Sequence, residues 1–433
     1  MSTPAPAALG AVPGEPASNW AQNVTFGAPV QRPRTVPEVQ DLVAGAQRAH
    51  AVGTGHSFSA VADTRGVLLS LTDLPRHFDV APGRDSVSVN GAMTFSDLGP
   101  LLHDEGLALH NLGSLPHISL AGACSTGTHG AGDRVQCLAA AVCGVEVVTA
   151  SGELAQVRRG DPDFAGMVLS LGTTGIITAL SMDVQPAYDV AQTIWQGIDL
   201  ATGIGDLDAI LASAYSVGVF TTLQPTSFGE VWVKRRMDEP DPDLSRWGGR
   251  PAAGAVRPVP GERGEGCTIQ GGIPGAWFER LPHFTPDVPP SASGAELQSE
   301  YYVGRSVGPM ALEALWRVAP DLRAALRVCE LRSVAADGLW LSPAYERDLL
   351  GIHFTWKLDA ELVRAACRRV EQALEPFQPV PHWGKISQLE PAAVAARFAR
   401  MEDMRRLVGA VDPDNVFGNG TTDRYLRPGE PAG

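Results

Sequence analysis

The sequence has no apolar run that approaches the roughly 18 residues needed to cross a bilayer, so no membrane span is predicted. Its six cysteines form no CxxC pair and no dense framework. This argues against a metal site and predicts free thiols in a cytoplasmic protein. A long basic run is also missing, and the formal net charge is −14. Nucleic acid is therefore not expected as a partner, and a small substrate of little charge fits better.

The first 18 residues lack the basic region and apolar core of a targeting peptide. Residues 1–18 are rich in alanine and proline, which predicts a disordered tail. The rest of the 433-residue chain is long enough for two or three domains, and 44% apolar content is typical of a soluble globular protein. We expect this protein to act as a monomer.

Short strands alternate with helices in the first part of the chain. A capping box at Thr35 predicts a helix from residue 36 to about 49, and apolar spacing predicts another over 95–102, closed by Gly106. Strands are predicted at 67–71, 86–90, 145–148 and 154–157, with a further one that ends near 180. The pattern favours an α+β fold with a domain boundary near residue 187.

A glycine-rich loop follows a short apolar step at residues 51–52. Its residues are Gly53, Thr54, Gly55, His56, Ser57 and Phe58. The two glycines permit unusual backbone angles and allow several N–H groups to converge on a phosphate, with a histidine held beside it. Glycine turns are common, so this motif alone is weak.

A second cluster of small and hydroxylated residues adds donors for a pyrophosphate. It contains Ser114, Ser119, Gly122, Ser125, Thr126, Gly127, Thr128 and His129. In this order and separation, the two clusters resemble the flavin-binding domain of the vanillyl-alcohol oxidase type of FAD enzymes. Segments 294–301, 353–356 and 381–385 make the resemblance closer, because they are similar to the bacterial alditol (xylitol) oxidases over about Asn19 to Asn419.

The resemblance implies FAD as the cofactor and a two-domain fold. An FAD-binding domain is expected at 19–186, a substrate-binding domain at 187–400, and a C-terminal segment at 401–433 that returns to the FAD domain. It also implies further FAD contacts from Gly172, Gly175, Ile176, Ile177 and Asn419. His56 takes the position of a histidine bonded covalently to the flavin; the alternative is a loop histidine that only hydrogen-bonds the cofactor.

Charged and polar residues alternate with apolar ones in two later segments. Glu330 and Arg332 would share one face of a strand, and His353 and Thr355 would do the same on another. A simple ion pair would explain the first pair alone. Two such strands are better explained as the polar floor of an apolar cavity, which a polyol requires because each hydroxyl needs partners once it leaves water. Lys385 adds a cation.

The resemblance places the substrate among six residues of matching type: Ser114, Glu330, Arg332, His353, Thr355 and Lys385. His353 is the natural general base near neutral pH and Lys385 would stabilise the developing alkoxide charge, although a lysine with a lowered pKa could exchange roles with the histidine. The resemblance also implies that Gly113 takes the position of a small residue that leaves oxygen a path to the reduced flavin. The other histidines, such as His50, His103 and His283, lack this context and are expected to be structural or exposed.

The predicted function is therefore an FAD-dependent oxidase that converts the terminal primary alcohol of alditols such as xylitol and sorbitol to the aldose, with reduction of O2 to H2O2. Three alternatives stay open: a sugar-1,4-lactone oxidase of the gulonolactone type, a dehydrogenase that excludes oxygen, and a flavoprotein that oxidises no alcohol. The loop at 238–266 has unusual composition, so chain-length preference is also open.

Overall fold

The computed structural model describes residues 17–259, 266–286 and 296–429. The predicted tail thus lies outside the described residues except for Ala17 and Ser18. Part of the unusual loop, residues 260–265, lies outside them as well.

The first half of the chain forms ten strands and four helices among its described residues. The strands are β1 (Val30–Gln31), β2 (Ala49–Ala51), β3 (Val67–Leu69), β4 (Phe78–Val80), β5 (Ser86–Asn90), β6 (Leu107–Ala108), β7 (Val142–Val148), β8 (Leu154–Arg158), β9 (Ile176–Asp183) and β10 (Gln185–Pro186). The helices are α1 (Val36–Ala44), α2 (Phe95–Asp104), α3 (Leu120–Ser125) and α4 (Phe164–Val168).

The second half contains longer strands. They are β11 (Asp189–Gln196), β12 (Ser216–Thr221), β13 (Glu230–Arg236), β14 (Arg250–Pro251), β15 (Pro274–Ala276), β16 (Glu296–Gly304), β17 (Leu326–Val334), β18 (Leu349–Lys357) and β19 (Val380–Pro381). The helices are α5 (Leu200–Gly205), α6 (Leu207–Leu211), α7 (Trp277–Arg280), α8 (Gly308–Leu322), α9 (Ala360–Leu374), α10 (Pro391–Ala395), α11 (Met401–Val411) and α12 (Asp423–Leu426).

Two main sheets divide the chain. A five-stranded antiparallel sheet has the order β4-β5-β9-β7-β8, with a small parallel sheet β1-β3-β2 near it in sequence. A nine-stranded sheet has the order β14-β11-β13-β12-β17-β18-β16-β19, and β15 pairs with β11. The expected boundary at residue 187 falls between the strands of the two sheets. The numerical domain limits stay predictions.

One face of the large sheet is buried against helices. Leu331 of β17 and Phe354 of β18 belong to the same core cluster as Leu315 of α8 and Val370 of α9. Strand residues alternate between the two faces, so their polar neighbours project to the opposite side. That side faces the first half of the chain and forms the wall of a cavity.

Most predicted elements are confirmed, with two corrections. The Thr35 side chain caps α1 by accepting the Glu38 amide at 3.2 Å, but the helix ends at Ala44 rather than near 49. Ala49–Ala51 instead pairs with β3, so sheet pairing overrides the apolar spacing there. The predicted strand at 67–71 stops at Leu69. Strand β5, helix α2 and the β7–β8 hairpin appear where expected.

Candidate active site

A single large cavity joins the glycine-rich loop to the polar face of the nine-stranded sheet. It encloses about 2180 Å³ of space between protein atoms, counted to its open mouth. Nearly all the predicted cofactor residues line it: Gly53, Thr54, Gly55, His56, Ser57, Phe58, Ser114, Ser119, Gly122, Ser125, Thr126, Thr128, His129, Gly172, Gly175 and Ile177. The predicted substrate residues Glu330, Arg332, His353, Thr355 and Lys385 also line it.

Three predicted cofactor residues lie outside the lining of this cavity. Gly127 ends α3 with a positive φ of 73°. Ile176 is buried in a core cluster with Val148. The Asn419 side chain donates to the Val61 carbonyl at 2.9 Å, which ties the C-terminal segment to a loop of the first half. These residues therefore support the walls and do not form them.

The glycine loop has the form of a cradle for a phosphate group. Gly53 lies so close to Ser119 that an added Cβ would be 2.0 Å from its Oγ, and Gly55 has a φ of 71°. The amides of residues 53–57 donate to no acceptor within the described part of the chain. Buried His50 adds an Nε2 atom without a partner on the same cavity wall. Unsatisfied donors around a glycine-lined hollow fit the pyrophosphate of a dinucleotide.

His56 lies on the cavity wall in a form suited to nucleophilic attack. Its ring stacks on Trp20, with centroids 5.3 Å apart and planes 27° apart. Burial, aided by the nearby His117 and Lys385, lowers the pKa of His56 to about 3. The imidazole is therefore neutral at pH 7 and keeps a nucleophilic nitrogen.

The polar floor is built from facing residues of β16, β17 and β18. Strand register places His353 opposite both Glu330 and Glu300. Arg332 Nη1 donates to Ser114 Oγ at 3.4 Å, which links the floor to the second predicted cluster. Glu330 and Arg332 share one face of β17 as predicted, with 3.6 Å between Oε1 and Nε.

Glu300 is the centre of this floor. Its Oε1 accepts hydrogen bonds from His129 Nε2 and Arg332 Nη2, each at 3.0 Å. Its Oε2 lies 3.3 Å from His353 Nδ1. Burial opposes ionisation, but Arg332 and His129 outweigh it and hold the pKa of Glu300 well below its usual value. Glu300 is therefore a carboxylate shared by three donors.

The Glu300 carboxylate fixes the tautomer of His353. An ionised carboxylate only accepts hydrogen bonds, so His353 Nδ1 carries the proton and Nε2 keeps its lone pair. Nε2 lies 3.5 Å from Thr355 Oγ1. Burial lowers the pKa of His353 despite its bond to Glu300. The site thus presents a neutral imidazole with a free basic nitrogen, oriented by a carboxylate.

Lys385 connects the floor to the glycine loop. Its Nζ donates to Gln298 Oε1 and lies 4.9 Å from the centre of the Phe58 ring. The Phe58 amide donates to the Gly384 carbonyl at 2.7 Å, which holds the two segments together. Burial lowers the pKa of Lys385 to about 8. Lys385 is therefore a cation at neutral pH that loses its proton only slightly above it.

The sequence interpretation missed several residues of this cavity. Glu300, His50, His283 and His382 all line it, and each is buried. Glu300 had a signal in the sequence, because Glu296, Gln298 and Glu300 alternate as Glu330 and Arg332 do. No such signal in the sequence points to His283, because its partners come from distant parts of the chain.

Other features of the described residues agree with the sequence analysis. The thiols of Cys124, Cys137, Cys143, Cys329 and Cys367 are free. Across residues 17–259, 266–286 and 296–429, every helix is too short or too polar to span a bilayer. Gly113 is buried, and a Cβ placed there would touch Thr128 and Ile118 only at ordinary contact distances of 3.5 and 3.6 Å.

Known proteins resemble this chain in both halves. A family of sequences described as FAD binding domain matches residues 28–158, and one described as D-arabinono-1,4-lactone oxidase matches residues 296–426. An alditol oxidase from a Streptomyces species is 45% identical over 414 residues, which cover 95% of this chain and 98% of that protein. An L-gulono-1,4-lactone dehydrogenase from Mycobacterium tuberculosis is 29% identical over 443 residues, which cover 95% and 99% of the two chains.

The fold is also that of solved cholesterol oxidase structures. The cholesterol oxidase of B. sterolicum superposes with a TM-score of 0.75 at 13% identity and covers 95% of this chain and 96% of its own. Identity this low shows the fold alone, which is a two-domain FAD-binding architecture of mixed helices and strands. The alditol oxidase match extends over nearly the whole of both sequences at much higher identity. This chain therefore belongs to the alditol oxidase family of FAD-dependent oxidases.

Proposed function

We propose that the protein oxidises the terminal primary alcohol of open-chain alditols such as xylitol and sorbitol to the aldose, and reduces O2 to H2O2. The observation that carries this proposal is the single cavity in which a dinucleotide cradle meets a floor of carboxylate, guanidinium, imidazole and hydroxyl groups. Each hydroxyl of a polyol needs a partner after it leaves water. The floor supplies acceptors at Glu330 and donors at Arg332 and Ser114.

The side chains divide the chemical work between proton transfer and charge stabilisation. When bound, FAD accepts a hydride equivalent and passes the electrons to O2. His353 Nε2 takes the proton from the reacting hydroxyl, because its ring is neutral and oriented by Glu300. Lys385 stabilises the alkoxide charge that develops, and Ser114 positions the same hydroxyl. Glu330, Arg332 and Thr355 hold the remaining hydroxyls, so the terminal carbon is the one that reacts.

We propose that FAD is bonded covalently to His56. The neutral ring on the cavity wall beside the glycine cradle supports this linkage. After acid denaturation and centrifugation, the yellow colour should therefore stay with the precipitated protein. A His56→Ala variant should release all of its flavin to the supernatant. His117→Ala is a matched control that should keep its covalently bound flavin. The His117 Nε2 atom is already engaged by the Pro286 carbonyl at 2.8 Å. Colour wholly in the supernatant of the parent protein would contradict the bond.

The main rival is a sugar-1,4-lactone oxidase, since residues 296–426 match a lactone oxidase family and a lactone dehydrogenase relative aligns over 95% of the chain. A 1,4-lactone closes one chain hydroxyl into an ester, so it offers fewer groups to Glu330 and Arg332. Across a panel of xylitol, sorbitol, mannitol, glycerol and gulonolactone, we expect H2O2 release to be faster with an alditol than with gulonolactone. Faster release with gulonolactone than with every alditol would assign the rival function.

The domain limits and the location are further proposals. Hydrogen bonds from Ala49 N to Val416 O and from Asn419 to Val61 support a C-terminal segment that returns to the FAD domain after residue 400. Free thiols at five positions, Cys124, Cys137, Cys143, Cys329 and Cys367, support a reducing compartment such as the cytoplasm. The buried Gly113 beside Thr128 supports a path for oxygen, which favours an oxidase over a dehydrogenase.

A further inference from the structure

A buried lysine and histidine lie behind the polar floor. Lys234 of β13 is almost fully buried, at 1% exposure, and its Nζ donates to the carbonyls of Leu281 and Pro282 and to His283 Nδ1. The distance from Nζ to Nδ1 is 3.2 Å. On the other side of the ring, His283 Nε2 lies 2.9 Å from Glu330 Oε1. These contacts form a chain from Lys234 through His283 to Glu330.

The direction of the hydrogen bonds in this chain is determined by its last member. Burial alone would raise the pKa of Glu330, but Arg332 and His283 outweigh it and lower the pKa to about 2. An ionised Glu330 accepts only, so His283 Nε2 must carry a proton and donate it. His283 Nδ1 is then the acceptor for Lys234. The Lys234 donor thus stabilises the same neutral tautomer of His283 that donates to Glu330.

The ring of His283 is also held in its plane. Phe220 and Trp232 contact it edge to face, with centroid distances of 5.1 and 5.4 Å. The His283 amide donates to the Ser114 carbonyl at 3.1 Å. One residue therefore contacts two predicted substrate-binding positions, by its backbone at Ser114 and by its side chain at Glu330.

No other described residue hydrogen-bonds the Glu330 carboxylate. Arg332 Nε is 3.6 Å from Oε1, which is too long for a hydrogen bond, and Arg332 Nη2 is engaged by Glu300. Glu330 Oε2 has no hydrogen-bond partner among the described residues and belongs to a residue that lines the cavity. His283 thus leaves one oxygen of Glu330 available for the substrate.

We propose that His283, oriented by Lys234, is a positioning residue that holds Glu330 so that Oε2 accepts a hydroxyl of the substrate chain. This inference rests on the proposed alditol oxidation, in which Glu330 holds a hydroxyl of the substrate. It makes the substrate specificity of the polar floor depend on Lys234 and His283, which touch no reacting atom.

The test is a double-mutant cycle on alditol oxidation. His283→Phe keeps an aromatic ring but removes the donor, and it should lower kcat/KM for xylitol about 10- to 100-fold, mainly through KM. His283→Gln retains an N–H donor and should recover part of the loss. In a Glu330→Gln background, His283→Phe should cost little more than Glu330→Gln alone, since both changes remove one interaction. Multiplicative losses in the double variant would overturn the proposal.

A second variant tests the relay with the His283 ring left in place. Lys234→Met removes the donor to Nδ1, so the ring loses one of the two side-chain contacts that hold its orientation, and KM should rise as it does in His283→Phe. Thr268→Val is the matched control. Its hydroxyl donates to the carbonyls of Pro282 at 2.9 Å and His283 at 3.4 Å but does not touch the His283 ring, so the KM of this variant should stay near the parent's.

These results separate the inference from the proposed function. A parent protein that oxidises no alditol would refute the function itself. A parent that oxidises xylitol, with Lys234→Met and His283→Phe at the parental KM, would refute the positioning role alone. The FAD content and the thermal midpoint of each variant show which variants fail to fold. If only Lys234→Met folds, its KM alone decides whether His283 has the positioning role.

Discussion

Replacing either His353 by alanine or Lys385 by methionine should slow anaerobic flavin reduction by xylitol about 10²-fold or more. His353→Ala removes the neutral Nε2 that accepts the hydroxyl proton, and Lys385→Met removes the cation that stabilises the alkoxide. Stopped-flow absorbance of the flavin measures the reduction directly. FAD content and the reaction of the reduced enzyme with oxygen should remain near the parent's, because neither change alters the glycine cradle.

A matched control distinguishes the loss of a lysine in the cavity from the loss of a lysine charge elsewhere on the protein. Lys357 lies at the end of β18, exposed, and its Nζ donates to the Ala324 carbonyl at 2.8 Å, outside the cavity. In the Lys357→Met variant, xylitol should therefore reduce the flavin at the parental rate. Parental rates in both His353→Ala and Lys385→Met would show that this cavity is not where the alcohol is oxidised.

The pH dependence of reduction distinguishes the roles of these two residues. The pKa of His353 is lowered, so its ring is neutral and able to accept a proton throughout the neutral range. Lys385, with a pKa of about 8, is a cation below that pH and neutral above it. If Lys385 stabilises charge, the reduction rate should fall as pH rises through about 8. A rate that rises through the same range would make Lys385 the proton acceptor instead.

The sequence predicted the parts of the site that depend on local spacing. Glu330 and Arg332 share a strand face because strand residues alternate, and the same rule placed His353 beside Thr355. Gly53 and Gly55 were recognisable because few residues tolerate so close an approach and a positive φ. In each case the information lies within a few neighbouring residues.

The features that escaped prediction depend on contacts between distant segments. Lys234 and His283 are 49 residues apart and meet only because β13 passes beneath the segment after α7. The end of α1 was misplaced because residues 49–51 pair with β3, which apolar spacing within the helix does not reveal. Glu300 is the intermediate case: its alternation with Gln298 was visible, but its three donors come from other segments.

Glu300→Gln should have the largest combined effect on activity and stability. Gln has only one acceptor oxygen, while its NH2 group would face the donors of His129, Arg332 or His353. Arg332 would lose a buried counter-charge, a change that typically costs about 3–5 kcal/mol. His353 would be free to move its proton to Nε2, which removes the base. We expect anaerobic reduction to slow by about 10²-fold or more and the thermal midpoint to fall.

Glu371→Gln is the control that separates these two effects. Glu371 is also buried, but it accepts from the neutral groups Tyr301 Oη, Ser387 Oγ and the Gln388 amide at 2.8, 3.0 and 2.7 Å. Its replacement should lower the thermal midpoint yet slow reduction by less than about tenfold, because none of the three partners supplies the base. If Glu300→Gln lost stability but reduced at the parental rate, Glu300 would be a structural counter-ion and His353 would not depend on it as a base.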